Sequence, residues 1–260
     1  VTYPPGIASG TSEAARLAIV LTNLHWWLHA WSIYAVCALV IAYFVFRRNK
    51  PGLISTPIRY TFRGRWVGPV ATAADILGVV AVILGLGGSL AMGTLQVRAG
   101  LGEVAGVPAT DWVSITIVGV LAVCFFTSAS TGLGQGIKVL SNLNMAIAVA
   151  IMLFILFVGP TRFILETFTT TIGDYLNNLP AMSFRLYPFE GLTEWTAGWT
   201  LTYLIWWLAW GPFVGVFIAR ISRGRTIREF MLGVVLIPSI FSMFWFATFG
   251  GAGFYIELQG

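Results

Sequence analysis

A chain of 260 residues that is 57% hydrophobic and only 10% charged cannot clothe itself in polar groups, since a soluble domain of this size carries about 25% charged residues. Its solvent is mostly lipid, which excludes an ordinary soluble enzyme or binding module. The net charge of +5 sits in separated loops and reads as membrane topology, not as a nucleic-acid patch.

Crossing a bilayer takes about 20 apolar residues. Six candidate spans meet that length, approximately 17–46, 70–96, 112–132, 141–160, 199–219 and 230–255. The chain opens on Pro4-Pro5-Gly6, and a first helix is expected near Ser12 with Glu13 favourable in its first turn. Early in span one stands the run His25-Trp26-Trp27-Leu28-His29-Ala30-Trp31-Ser32-Ile33-Tyr34. His25 and His29 are one helical turn apart, but no third ligand accompanies them and no metal site is predicted. The loop at 47–69 is punctuated by Pro51-Gly52, Pro57 and Gly64. Span two carries Gly78, Gly85, Gly87, Gly88 and Gly93, small residues that let helices pack closely in lipid. Asp75, near its start, is expected to pair with loop arginines. The segment Thr131-Gly132-Leu133-Gly134-Gln135-Gly136 reads as a flexible turn, because no strand precedes it as a phosphate-binding loop requires. Residues 161–198 mix Phe163, Ile164, Leu165, Phe168 and Ile172 with Glu166 and Asp174, a pattern suited to an amphipathic helix lying outside at the membrane interface. Cys37 and Cys124 fall inside spans, where free thiols behave as small apolar groups.

Positive charge sets the orientation. Eleven of the 15 Lys and Arg lie in the loops after spans one, three and five, among them Arg220, Arg223, Arg225 and Arg228. That side is expected to be cytoplasmic and both chain ends external. The four loop arginines after span five are candidates for contact with anionic lipid or for a cytoplasmic gate. With neither an initiating Met nor a signal peptide, the chain is expected to be an internal piece of a larger polytopic protein.

Six of the 11 tryptophans gather in two apolar runs, the one above and Trp206-Trp207-Leu208-Ala209-Trp210-Gly211-Pro212-Phe213 in span five. At about 100° per residue, Trp31 and Tyr34 fall about 140° and 80° from Trp26, on one broad face. Trp206, Trp210, Phe213 and Phe217 form a narrower stripe, with Trp207 flanking it. Tryptophan and tyrosine also anchor helices at membrane interfaces. Gly211-Pro212 inside the second run predicts a helix break, with Gly215 adding flexibility, and broken spans line transporter cavities. Electron-rich ring faces around a cavity suit a cation without hydrogen-bond donors, such as a quaternary ammonium head.

Gly198-Trp199-Thr200, the Trp206-Trp207-x-x-Trp210 run, Pro212-Phe213-Val214-Gly215 and Phe217-Ile218-Ala219-Arg220-Ile221-Ser222-Arg223-Gly224-Arg225-Thr226-Ile227-Arg228-Glu229-Phe230 closely resemble the signature of the betaine/choline/carnitine transporter family. The segment from His25 to Tyr34 resembles that family's fourth span, and the similarity extends over nearly the whole chain. The resemblance implies an all-α integral membrane protein: six transmembrane helices, the fourth to ninth of a twelve-helix inverted-repeat fold of the LeuT type. Residues 1–260 would then form part of one transporter domain. It implies a secondary active transporter, not an enzyme, that imports a quaternary ammonium or sulfonium compatible solute for osmoprotection, glycine betaine first. Carnitine or choline carriers and exchangers, or a non-transporting betaine sensor, are the alternatives. An inner-membrane location and a homotrimer follow from the same resemblance.

Residue by residue, Trp26, Trp31 and Tyr34 with Trp207 match the aromatic box around the trimethylammonium group. Trp206 and Trp210 match rings that hold substrate at other steps, with Phe213 nearby. Members with Tyr at the position of Trp26 more often carry choline. Leu204 and Thr202 replace aromatic residues of many members, which implies a roomier cage. Val82 and Leu86 stand where sodium-coupled members have threonines, so one of two sodium sites lacks its oxygens. Val214 replaces the methionine of sodium-independent exchangers, which leaves coupling by the second sodium open, with ligands mostly outside this chain.

Overall fold

A computed structural model describes residues 5–130 and 136–259. Most of the glycine-rich turn, residues 131–135, lies outside them. Every regular element among the described residues is helical: α1 Ser12–Trp26, α2 Leu28–Ala42, α3 Thr56–Thr61, α4 Val67–Ala105, α5 Asp111–Ser130, α6 Gly136–Val158, α7 Thr161–Ser183, α8 Thr193–Thr196, α9 Thr202–Ile221, α10 Ile227–Met231 and α11 Ile237–Gln259. Wider π-helical turns occupy Tyr43–Arg47, which extends α2, and Ala197–Leu201 and Leu232–Leu236, which join α8 to α9 and α10 to α11 as longer rods. Six stretches are long and apolar enough to cross a membrane: Ser12–Arg47, Val67–Ala105, Asp111–Ser128, Lys138–Val158, Thr193–Ile221 and Ile227–Leu258. Each overlaps an expected span. The protein is an all-helical, multi-pass membrane protein, and large apolar side chains such as Leu84 and Phe157 stand outward at 70% and 73% exposure.

Two compact units divide the chain, residues 1–81 with 152–260, and residues 82–151. In the smaller unit, α4 ends where Gly106 turns into the left-handed region at φ 64°, returning the N–H of Val107 to the Leu101 carbonyl at 3.3 Å. Arg98 donates to Ser114 Oγ at 3.0 Å across the α4–α5 turn. Gly87 and Gly93 have open space where a side chain would stand, so the close packing expected there is not made among the described residues.

The larger unit holds everything that follows. α1 starts as expected at Ser12, and Thr11 caps it by accepting the Ala14 N–H at 3.1 Å. The loop at 47–69 contains the short helix α3, with Pro57 in its first turn where the missing N–H costs nothing. Asp75 does not pair with a loop arginine. Its carboxylate accepts the Ser55 N–H at 2.9 Å, a backbone donor left free at the start of α3, while Arg59 donates to Ser55 Oγ and Thr72 Oγ1.

α7 fills most of the segment 161–198 and buries Ile164, Thr171 and Tyr175 against α1 and α11. Arg16 on α1 grips Asp174 on α7 through two 2.5 Å bonds. That hydrogen bonding holds the Asp174 carboxyl below its ordinary range, with partial burial opposing it. A depressed folded-state value means that the stabilisation is present above the unfolded value of about 3.9 and is lost as pH falls through the folded one. The arginine is largely solvent-exposed, so Asp174→Asn is expected to cost less than about 1 kcal/mol at neutral pH. Thermal unfolding of parent and variant should converge as the pH falls far enough to protonate the folded-state carboxyl.

Candidate functional site: an aromatic cluster at a broken span

The first span is interrupted at Trp27, whose backbone sits at φ −107°, ψ −121°, between α1 and α2. Neither glycine nor proline marks the place. The interruption leaves the His25 carbonyl without its helical donor, and Trp207 Nε1–H on α9 bonds to it at 2.7 Å in the buried interior. The two aromatic runs are thereby fastened to each other by a backbone-directed bond. An unpaired buried carbonyl here would cost about 1–3 kcal/mol.

Around that bond the rings converge. Trp26 meets Trp207 edge to face with centroids 5.0 Å apart, and Tyr34 meets the same indole at 5.2 Å. Trp31 contacts Tyr34 at 5.8 Å, and Trp31 and Trp210 each pack against the margin of the cluster. Two predicted box residues, Trp26 and Tyr34, therefore flank Trp207 itself, at distances where aromatic pairs attract by about 0.5–1.5 kcal/mol each beyond area burial, and Trp31 joins the cluster through Tyr34. Tyr203 and Phe246, which the sequence analysis did not single out, complete the shell by touching Trp26 at 5.6 and 5.9 Å.

The predicted helix break at Gly211, Pro212 and Gly215 is not present. α9 runs unbroken from Thr202 to Ile221 with Pro212 inside it. The two glycines serve packing instead. A Cβ on Gly215 would lie 2.9 Å from Cys37 Cβ and 3.1 Å from the Ala38 backbone nitrogen, and one on Gly211 3.2 Å from Cys37 Sγ. The buried face of α9 is Trp207, Gly211, Gly215, Ile218 and Ala219, pressed on α2. The stripe expected from Trp206, Trp210, Phe213 and Phe217 lies beside that face. Trp206 is half-buried, Phe213 and Phe217 are exposed, and Phe213 touches Trp210 at 5.9 Å. The Trp207-x3-Gly211-x3-Gly215 spacing is the sequence signal for the true contact face.

His25 and His29 diverge across the interruption. His25 stacks on Tyr203 at 5.1 Å and pairs with Thr200 Oγ1 at 3.1 Å, while His29 pairs with Ser183 Oγ at 3.0 Å. These groups line a cavity of about 130 Å³ beside Trp207, with Leu204 and Met182. A larger cavity, about 570 Å³, lies among Arg16, Phe163, Glu166 and Phe254, away from the ring cluster. Among the described residues no group of three His, Cys, Asp or Glu stands close enough to hold a metal.

Arg220, Arg223, Arg225 and Arg228 are all exposed, and among the described residues none makes an ion pair. The turn that carries them is shaped by a capping box: Thr226 accepts the Glu229 N–H, and Glu229 returns to the Thr226 N–H at 2.8 Å. The T-x-x-E spacing that encodes it is plain in the sequence.

Across residues 1–260 the chain matches the family described as BCCT, betaine/carnitine/choline family transporter. The chain belongs to that family. Over its whole length it is 45% identical to a glycine betaine transporter of Bacillus subtilis (strain 168), of which it covers 51%. It is 42% identical, over 98% of its length, to an ectoine/hydroxyectoine transporter of Virgibacillus pantothenticus, covering 50% of that protein. A high-affinity choline transport protein of Escherichia coli (strain K12) is 38% identical over 99% of the chain, which covers 38% of it. This BCCT chain thus spans about half the length, or less, of these curated relatives. All three are named as transporters, and none as an enzyme.

Proposed function

We propose that the full-length protein is a secondary active transporter that imports a quaternary ammonium compatible solute, glycine betaine foremost, by alternating access. The observation that carries this is the convergence of Trp26 on α1 and Tyr34 on α2 upon the indole of Trp207 on α9. Each edge-to-face contact sets a positively polarised ring edge against a negatively polarised face. An onium head takes the place of such an edge with stronger attraction, roughly 0.5–2 kcal/mol per face when desolvated. Admitting it requires the rings to part, and the interruption at Trp27 supplies a joint between Trp26 on one side and Trp31 and Tyr34 on the other.

Two features favour a zwitterion over choline. Trp rather than Tyr stands at position 26, and Trp210 Nε1–H is buried without an acceptor among the described residues, a donor suited to a carboxylate. The choline and ectoine transporters among the relatives keep rival substrates in view. Cation coupling, an inner-membrane location with the basic loops cytoplasmic, and a homotrimer belong to the same proposal.

Uptake of labelled glycine betaine, carnitine and choline by the full-length protein in sealed vesicles, with and without a sodium gradient, tests it. Saturable betaine accumulation that the gradient drives is expected. Accumulation of choline or carnitine alone overturns the substrate, and betaine uptake indifferent to sodium overturns sodium coupling. Binding without accumulation identifies a sensor.

A further inference from the structure

Tyr175, on α7, is completely buried. Its ring lies on Trp27, centroids 4.3 Å apart, and its hydroxyl stands 3.4 Å from His29 Nδ1. Burial raises the phenol above its ordinary range, and the Leu28 backbone N–H, a donor in the turn after the interruption, acts against that rise. One side chain therefore touches Trp27 and His29, either side of Leu28, where the first span is interrupted. On the opposite side, Trp207 holds the carbonyl that the same interruption sets free. A backbone at ψ −121° belongs to a sparsely populated region and persists only where its surroundings impose it. Nothing local does so here, because the sequence around Trp27 contains neither glycine nor proline.

We infer that Tyr175 is a positioning residue: from α7 it holds the span interrupted at Trp27, and so fixes where Trp26 stands relative to Trp31 and Tyr34. Trp26 ends α1, while the other two rings ride on α2. Any change in the angle at Trp27 moves one part of the cluster against the rest. Arg16, bonded to Asp174 beside Tyr175, ties α7 to the far end of α1 as well. α7 thus spans the moving part, and a shift of this helix is transmitted to the substrate rings through Trp27. The assignment to transport rests on the proposed function, whereas the hold on the interruption does not.

The test uses the full-length protein in lipid vesicles, cleared of other cysteines, with spin labels at the exposed positions Glu13 and Val40, about 40 Å apart if α1 and α2 ran as one helix. Tyr175→Phe keeps the ring and removes the hydroxyl. The label distance distribution is expected to broaden or shift without any substrate. The KM for betaine uptake is expected to rise about tenfold at little changed maximal rate, the effect of one lost buried hydrogen bond. Ser183→Ala, which removes the other α7 partner of His29, should leave the distances as they are. If Tyr175→Phe is not recovered folded, Trp27→Phe with a smaller stacked ring should broaden the distribution in its place. Distances identical to the parent in the recovered variant overturn the inference. A parent that takes up no betaine, with a distance change still present, overturns the proposed substrate and leaves the hold on Trp27 standing.

Discussion

Replacing Trp207 by alanine is expected to lower glycine betaine affinity of the full-length protein by at least about 100-fold, the equivalent of 2.7 kcal/mol. The substitution removes the ring against which both Trp26 and Tyr34 lean, at 5.0 and 5.2 Å, and strands the His25 carbonyl in a buried site. Stability should suffer too, since truncating a buried Trp costs about 3–5 kcal/mol. Trp207→Phe separates the contributions. A phenyl ring preserves an aromatic face but has no donor for His25, so the affinity loss should fall to about tenfold. Equilibrium binding of betaine, read by calorimetry on both variants, checks the ranking. Equal losses in the two would mean that the donor, not the ring, is what matters.

Gly215→Ala is expected to destabilise the protein by about 2 kcal/mol or more and to abolish uptake, whereas Gly211→Ala should be much milder. The reason is what each methyl would meet. At Gly215 the obstacles are Cys37 Cβ and the Ala38 backbone nitrogen, which cannot turn aside, so α9 must lift off α2. At Gly211 the nearest atom is Cys37 Sγ at 3.2 Å, which a rotamer change can withdraw. Lifting α9 pulls Trp207 away from Trp26 and Tyr34, so the packing defect and the loss of the ring cluster are one event. Thermal unfolding in detergent and vesicle uptake, measured side by side, check the contrast. Indistinguishable behaviour of the two alanine variants would contradict the contact seen here.

What the sequence discloses and what it conceals follow from the range of each signal. Spans are visible because lipid imposes apolar length directly, and the six helical stretches overlap the six expected ones. Trp26, Trp31, Tyr34 and Trp207 stand out in the sequence through the resemblance and their ring chemistry, and their rings meet in one cluster. The break was misplaced. Pro212 removes one donor, and close packing of Gly211 and Gly215 on α2 keeps α9 straight enough to run through it. Trp27 breaks instead, held by Tyr175 and Trp207 from 148 and 180 residues further along the chain, contacts that no local pattern encodes. The aromatic stripe on α9 was real as periodicity, but a wheel cannot tell which side meets a partner. Small residues at 211 and 215 carry that information, and Trp207 shares their side.

Ring faces that recognise a positive charge, and not merely a globular methylated group, discriminate between a nitrogen and a carbon at the centre of the head. Binding of glycine betaine to the full-length protein should therefore be compared with that of 3,3-dimethylbutanoate, which keeps the carboxylate and the three methyl groups but has carbon in place of the charged nitrogen. Attraction of the head to two or more desolvated ring faces predicts at least about 30-fold tighter binding of betaine, the equivalent of 2 kcal/mol. Equal affinity for the two would mean that the rings do not recognise the charge.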